Sequence, residues 1–223
     1  MEKLDSAASN ANSVVSDEYG SSPMNDVLRR LDLGDLLRDE LTLNRPSDTR
    51  KTWGYFSNNF YEILHHGDTV GYVQEKTPTF DRLFYKLFRP YVMDVYNSQH
   101  ELLFTVAKPK ISSKFVIVLT TCADDIVTIG TCKLTGKINH RFYQVEVNSR
   151  RNIEISLNCK ASEFQIYDSH NSVGVIHKQT HLFGNRIFHN DNVYLIDFVG
   201  GDIAQKIMVI AATLMIDLDF SAR

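Results

Sequence analysis

The stretch "KIMVIAATLMIDLDF" (Lys206–Phe220) is the most apolar part of the 223-residue chain, and it decides the fold. As a helix, its ten-residue apolar run from Ile207 to Ile216 would reach only ~15 Å, whereas the hydrocarbon core of a bilayer is ~30 Å thick. The run is too short to span a membrane alone, and Asp217 and Asp219 close it. We therefore predict a buried helix.

Composition limits the class of protein. The length of 223 residues is typical of one domain with a tail, and the three cysteines show no CxxC spacing, which favours reduced thiols. No segment approaches 18 consecutive apolar residues, and the first 22 residues lack the regions of a secretory signal, so we expect a cytosolic protein. The net charge of -3 does not provide the strongly basic field that nonspecific nucleic-acid binding requires, and no nucleic-acid partner is expected.

The first 50 residues differ from the rest of the chain, with six Lys and Arg against ten Asp and Glu. Residues 1–22 contain too little apolar sequence to offset chain entropy, and we predict a disordered tail there. A Ser-Pro pair and spaced leucines predict a helix over residues 23–43, an acidic surface that could dock a protein partner. The turn-forming polar residues of 44–51 predict a linker.

From Phe60 onward the sequence repeats one pattern: an alternating aromatic or β-branched run, a polar turn and a second run. Each copy is typical of a β-hairpin. Five hairpins and a last strand, "NVYLIDF", give roughly a dozen strands in series, and such a sheet avoids exposed edges by closing.

A closed barrel of about twelve strands has an interior too wide for its own side chains to fill. The apolar helix is the one segment able to occupy that interior, because a helix that is apolar on every face is surrounded on every face. The predicted fold is therefore mainly β: a closed antiparallel barrel over residues 52–223 that encloses a core helix at about 203–219. The predicted core residues are Ile207, Val209, Ile210, Leu214, Met215 and Ile216.

Four stretches in this order resemble the phospholipid scramblase family, within the superfamily of tubby-like barrels. They are "NNFYEILHHGDTVGYVQE", "FYKLFRPYVMDVYNSQHELLFTVAKP", "EFQIYDSHNSVGVIHKQTHLFGNRIFHNDNVYLIDF" and "KIMVIAATLMIDLDF". The resemblance covers about residues 52–220. It implies a protein that moves phospholipids between leaflets without ATP, usually under calcium control, or a module that binds membranes, at the plasma membrane or an organelle.

The resemblance also implies a calcium loop before the last strand. In this sequence the loop corresponds to Asn190, Asp191, Asn192, Asp197 and Asp202. Calcium takes six or more oxygen ligands, several of them carboxylates. Two early positions are Asn, and Gly200 and Gly201 occupy the end where a bidentate carboxylate is expected, so an ordinary polar loop is the alternative. Of the cysteine cluster that some members palmitoylate, the matching region retains only Cys122.

The stretch "FDRLFYKLFRP" (Phe80–Pro90) interleaves basic with apolar residues. Aromatic and leucine side chains can enter the headgroup region of a membrane while Arg and Lys meet anionic lipid. The alternative is that the aromatic residues cap the barrel core. The candidate lipid contacts are Arg82, Leu83, Phe84, Lys86, Leu87, Phe88 and Arg89.

Catalytic motifs are missing from the sequence. It has no GxSxG, HExxH or GxGxxG, and "GTCKLTGK" (Gly130–Lys137) has the wrong spacing for a phosphate loop. We therefore expect lipid translocation or lipid binding rather than covalent catalysis. The rival hypothesis is a soluble module that binds lipid headgroups, such as phosphoinositides, or a protein without scrambling activity.

Overall fold

The structure is a computed structural model of the chain. It describes residues 28, 31, 33–46, 59–77, 90–109, 115–122, 125–137, 140–147, 151–158, 162–179 and 192–221.

The described residues form a closed barrel of twelve antiparallel strands and a C-terminal helix, which confirms the predicted fold class. Strands β2 to β11 each pair with the next strand in the chain, and β1 closes the barrel between β12 and β2. The strands are β1 (Glu40–Arg45), β2 (Phe60–His65), β3 (Asp68–Glu75), β4 (Tyr91–Asn97), β5 (Leu102–Lys108), β6 (Phe115–Cys122), β7 (Asp125–Lys137), β8 (His140–Val147), β9 (Arg151–Asn158), β10 (Glu163–Asp168), β11 (Asn171–Gln179) and β12 (Asn192–Phe198); the helix is α1 (Ile203–Ser221).

Alternation of side chains decides which face of each strand lines the interior. In β4, Tyr91, Met93 and Val95 are buried, whereas Val92 between them is 40% exposed. Because successive side chains of a strand point to opposite faces, this period of two places one set of residues around the helix.

Four of the five hairpins contain a register shift of one residue, and three share a glycine beside it. Gly71, Gly130 and Gly174 each follow the extra residue of the bulge, and a Cβ on any of them would lie within 2.6 Å of a backbone oxygen of the neighbouring strand. Bulges increase the local twist and help a sheet to close. The hairpins that repeat in the sequence therefore also repeat the bulges that help the barrel to close.

Helix α1 lies inside the barrel, as predicted. The six predicted core residues are each at most 2% exposed, although they point in every direction around the helix axis. Full burial of an aliphatic side chain of this size stabilises a fold by about 1.5–3 kcal/mol. The barrel therefore gains its core from α1, and α1 gains its apolar surroundings from the barrel.

The predicted helix over residues 23–43 is wrong for residues 33–43. Residues Gly34–Leu37 form only a 3-10 helix, and Glu40–Arg45 form β1. The leucine spacing of "LLRDELTL" fits a helix, but Leu41 and Leu43 alternate with half-buried neighbours and line the barrel. Burial on one face of the sheet therefore outweighs local helix propensity here.

The barrel also begins earlier than predicted. Asn44 and Arg45, which we assigned to a linker, end β1, so the barrel starts at Glu40 rather than at residue 52. The predicted tail, residues 1–22, lies outside the described residues. Within the part of the chain that the structure describes, no helix has both the length and the hydropathy needed to cross a bilayer.

Candidate functional site

A cluster of polar side chains is buried inside the barrel near the C-terminal end of α1. Asp217 lies at its centre and is fully buried, one residue beyond the apolar run. Strands β1, β2, β3 and β12 and the residue before β2 supply its neighbours. The members are Arg45, Asn59, Tyr61, Glu75, Tyr194 and Asp217, and we call them the Asp217 cluster.

The Asp217 carboxylate accepts hydrogen bonds from three side chains. Arg45 Nη1 donates to Oδ2 at 3.0 Å, the Tyr61 hydroxyl donates to the same oxygen at 2.7 Å, and the Tyr194 hydroxyl donates to Oδ1 at 3.2 Å. A buried charge is tolerated when it is paired and its remaining lone pairs accept hydrogen bonds. The cluster provides both conditions.

Asn59 extends the cluster to β3. Arg45 Nη2 donates to Asn59 Oδ1, while the side-chain and backbone N–H groups of Asn59 donate to Glu75 Oε2 at 2.6 and 3.2 Å. The guanidinium of Arg45 also lies 5.6 Å from the centre of the Tyr61 ring. Helix α1 is thus joined through Arg45 and Asn59 to the wall of the barrel.

The two tyrosines keep their protons in this environment. Burial, followed by the negative charge of Asp217, raises the pKa of Tyr61 well above its usual value, and the same two causes raise the pKa of Tyr194. Both phenols therefore remain hydrogen-bond donors to Asp217 at neutral pH. The geometry is that of an anchor for the end of α1.

The N-terminal end of α1 is held by a capping box. The Asp202 carboxylate accepts from the Gln205 backbone N–H at 2.9 Å, and Gln205 Oε1 accepts from the Asp202 backbone N–H at 2.8 Å. Such reciprocal bonds satisfy N–H groups that the first turn of a helix leaves without partners. Gln205 Nε2 also donates to Asp168 Oδ2 at 2.9 Å, which attaches the helix start to the end of β10.

Lys206 makes the second charged contact of α1 with the N-terminal part of the chain. Its Nζ lies 2.6 Å from the Leu37 carbonyl oxygen and 2.9 Å from Asp39 Oδ1, and it lies 5.2 Å from the centre of the Phe198 ring. The hydrogen bond from Lys206, and then its charge, lower the pKa of Asp39.

The five residues of the predicted calcium loop are only partly described. Asp202 caps α1, and Asp197 lies on β12 with its Oδ2 4.0 Å from His177 Nε2. Asn190 and Asp191 lie outside the described residues, and Asn192 is described only by its backbone at the start of β12. Within the described ranges, no group of three or more His, Cys, Asp or Glu side chains could hold a metal ion. The calcium loop remains a prediction.

The other predicted site residues also remain untested. Arg82, Leu83, Phe84, Lys86, Leu87, Phe88 and Arg89 lie outside the described residues, and Cys122 is described only by its backbone at the end of β6.

Sequence reasoning missed most of the Asp217 cluster, although a signal was present. Arg45 and Glu75 each occupy the inward position of a strand whose preceding inward residue is apolar, Leu43 and Val73 respectively. A charged residue in that position requires a buried partner. The opposite charges of Arg45 and Asp217 would have suggested the pair.

Comparison with known proteins gives one match. The family model described as Scramblase matches residues 41–223, which cover nearly the whole barrel and α1. No curated protein and no solved structure matches the chain.

Proposed function

This chain belongs to the scramblase family, and from that premise we propose that it moves phospholipids between membrane leaflets without ATP. The observation that carries the proposal is the extent of the match, which begins within β1 and ends beyond α1. The activity is translocation of lipid rather than covalent catalysis. The protein would act from the cytoplasmic side, bound peripherally to the plasma membrane or to an organelle.

The proposed membrane contact is the basic and aromatic stretch between β3 and β4. Arg82, Lys86 and Arg89 would meet anionic headgroups, each contributing on the order of 1 kcal/mol, while Phe84, Leu87 and Phe88 enter the interface. The variant F84S/L87S/F88S tests this contact, because it should weaken binding to anionic liposomes and retain a cooperative melt.

A matched control is I126S/V199S, which removes the two most exposed aliphatic side chains among the described residues, 73% and 80% exposed, far from that stretch in sequence. Equal loss of liposome binding in both variants would contradict a specific contact at 82–89.

Calcium is the proposed regulator, through Asn190, Asp191, Asn192, Asp197 and Asp202. The oxygen ligands that calcium prefers are present in this set. Because Asp202 also caps α1, calcium bound there would change the contacts of the helix start.

A soluble lipid-headgroup or protein-binding module is the second candidate, and the packing of α1 supports it. The apolar side chains of α1 fill the interior, and charged contacts hold both of its ends. Moving Asp217 and Asp219 to the centre of a bilayer would cost roughly 2.5 kcal/mol or more for each. Binding without scrambling requires no such rearrangement.

One experiment separates the two candidates. The purified chain is reconstituted into liposomes that carry a labelled phospholipid, and transfer between leaflets is measured with and without calcium. Transfer above that of protein-free liposomes supports the first candidate, and calcium stimulation supports the regulatory site. Binding without transfer would overturn the proposed activity and support the second candidate.

A further inference from the structure

Strand β1 contacts helix α1 at both ends. Asp39, immediately before β1, binds Lys206, the fourth residue of the helix, at 2.9 Å, and Arg45, the last residue of β1, binds Asp217 near the helix end at 3.0 Å. Six residues separate the two groups on the strand, ~20 Å, and eleven separate them on the helix, ~16 Å. Strand β1 and the residue before it therefore span the helix segment between Lys206 and Asp217 and hold it by two ion pairs.

The two helix charges have the sign that the helix dipole disfavours. The N-terminal end of a helix carries partial positive charge and the C-terminal end partial negative charge. Lys206 lies near the first end and Asp217 near the second. The opposite charges of Asp39 and Arg45 offset this arrangement, and α1 has these two ion-pair partners only while β1 is in place.

The topology allows β1 to leave without disturbing the other strands. Strands β2 to β12 form an unbroken series of neighbours, whereas β1 joins the last strand to β2. Between described residues, β1 shares six register pairs with β12 and three with β2. Because β1 precedes every other described strand, it can detach without threading the chain through the barrel.

We propose that β1 is a latch, whose detachment breaks both ion pairs and exposes α1 at the seam between β12 and β2 while β2 to β12 remain paired. The exposed side of α1 presents its apolar residues, which is the surface that a lipid bilayer accepts. The latch goes beyond the proposed function and does not depend on it, because it can be measured in water without lipid.

Position 63 supplies a reporter for this opening, because Ile63 of β2 is 1% exposed and pairs with Leu43 of β1 at the seam. In a background with Cys122→Ser, Cys132→Ala and Cys159→Ser, the rate at which a maleimide labels the single thiol of Ile63→Cys measures exposure of this seam.

The test uses the accessible member of the latch, Asp39, whose side chain is 84% exposed, so that a replacement displaces no buried group. The change Asp39→Lys places two positive charges together and should raise the labelling rate about tenfold or more under native conditions. The double variant D39K/K206E should return the rate toward that of the parent, because it restores an opposite-charge pair.

Two controls separate the latch from general loss of stability. Arg38→Ala removes the exposed neighbouring ion pair with Asp35 and should leave labelling unchanged. Val95→Ala opens a cavity in β4, and at equal loss of global stability it should raise labelling much less than Asp39→Lys. Equal labelling in Val95→Ala and Asp39→Lys would show that the thiol at position 63 reports global unfolding, and would overturn the latch.

A measurement on the unmodified chain covers the case in which a variant does not fold. Native-state hydrogen exchange should show the amides of β1, and those of β12 that bond to β1, opening at least about tenfold more often than those of β8 and β9. Uniform protection across all of these elements would also overturn the proposal.

Discussion

The carboxylate of Asp217 and the guanidinium of Arg45 lie 3.0 Å apart, although 172 residues separate them in the chain. Asp217 is fully buried in α1, and the side chain of Arg45 at the end of the closing strand is only 10% exposed. The pair therefore joins the first strand of the barrel to the helix that the barrel encloses.

Removal of one partner of this pair should be costly. The change Asp217→Ala leaves the Arg45 charge buried without its carboxylate and deprives Tyr61 and Tyr194 of their acceptor. We expect a loss of about 3–5 kcal/mol in the free energy of unfolding, measured by urea denaturation.

The double variant R45M/D217L tests the reason for that loss. It removes both charges together and should be more stable than Asp217→Ala, while two buried phenols without an acceptor still cost about 1–3 kcal/mol each. A double variant as unstable as the single one would mean that packing, rather than the unpaired charge, decides the effect.

Stability at alkaline pH should depend on Tyr61 and Tyr194. Their pKa values are raised in the folded state, so the unfolded chain loses these protons first as the pH rises above about 10. The free energy of unfolding should then fall by about 1.4 kcal/mol per pH unit for each tyrosine, an effect fully absent below that pH. Denaturation between neutral pH and pH 11 in the parent and in Y61F/Y194F measures the difference, and the same slope in both would contradict the role of these phenols.

Gly130 should tolerate no side chain. A Cβ there would lie 2.4 Å from the Glu146 carbonyl oxygen and 2.8 Å from Met208 Sδ. The backbone of β8 cannot move without breaking the ladder, so Gly130→Ala should lower the free energy of unfolding by about 2–3 kcal/mol. The matched change Gly200→Ala meets no atom within 4 Å, and its thermal midpoint should equal that of the parent.

Two substitutions in the turn between β10 and β11 should increase the stability of the protein. Ser169 and His170 both have positive φ, 49° and 81°, where most side chains are strained. Because two-residue hairpin turns of this kind favour Asn-Gly, the variant S169N/H170G should raise the free energy of unfolding by about 1 kcal/mol. A variant S169N/H170G that melts below the parent would contradict this geometry.

The corresponding turn at His66–Gly67 already has its glycine, with φ 93°. Gly67→Ala should therefore lower the free energy of unfolding by about as much.

Much of the barrel could be predicted from the sequence, because each hairpin from β2 to β11 contains both of its strands and its turn in one short stretch. The helix was predictable from one short stretch as well, since a helix that is apolar on all faces must be buried on all sides. Strand β1 was not, because its partners β2 and β12 come later in the chain and its leucines also fit a helix. Only the closure of the barrel decides whether these leucines lie on a helix or on strand β1.

The candidate site was also predictable only in part. Asp217 was visible as a charge at the end of an apolar run, but its partners come from β1, β2 and β12, whose positions depend on tertiary structure. Asp202 was visible as a calcium candidate by resemblance, whereas its capping role follows from the helix start.

Two variants of Asp202 separate its capping role from a role in calcium binding. Asn is as good an N-cap as Asp, so Asp202→Asn should keep the stability of the metal-free protein within about 0.5 kcal/mol, while Asp202→Ala should lose about 1 kcal/mol. Both variants remove the carboxylate charge, and both should therefore reduce any rise in thermal midpoint that calcium gives the parent, Asp202→Ala more than Asp202→Asn because the Asn amide oxygen can still bind calcium. A rise in thermal midpoint with calcium that is undiminished in Asp202→Ala would exclude the Asp202 carboxylate from the ligands, and equal stability of the two variants without calcium would contradict the capping box.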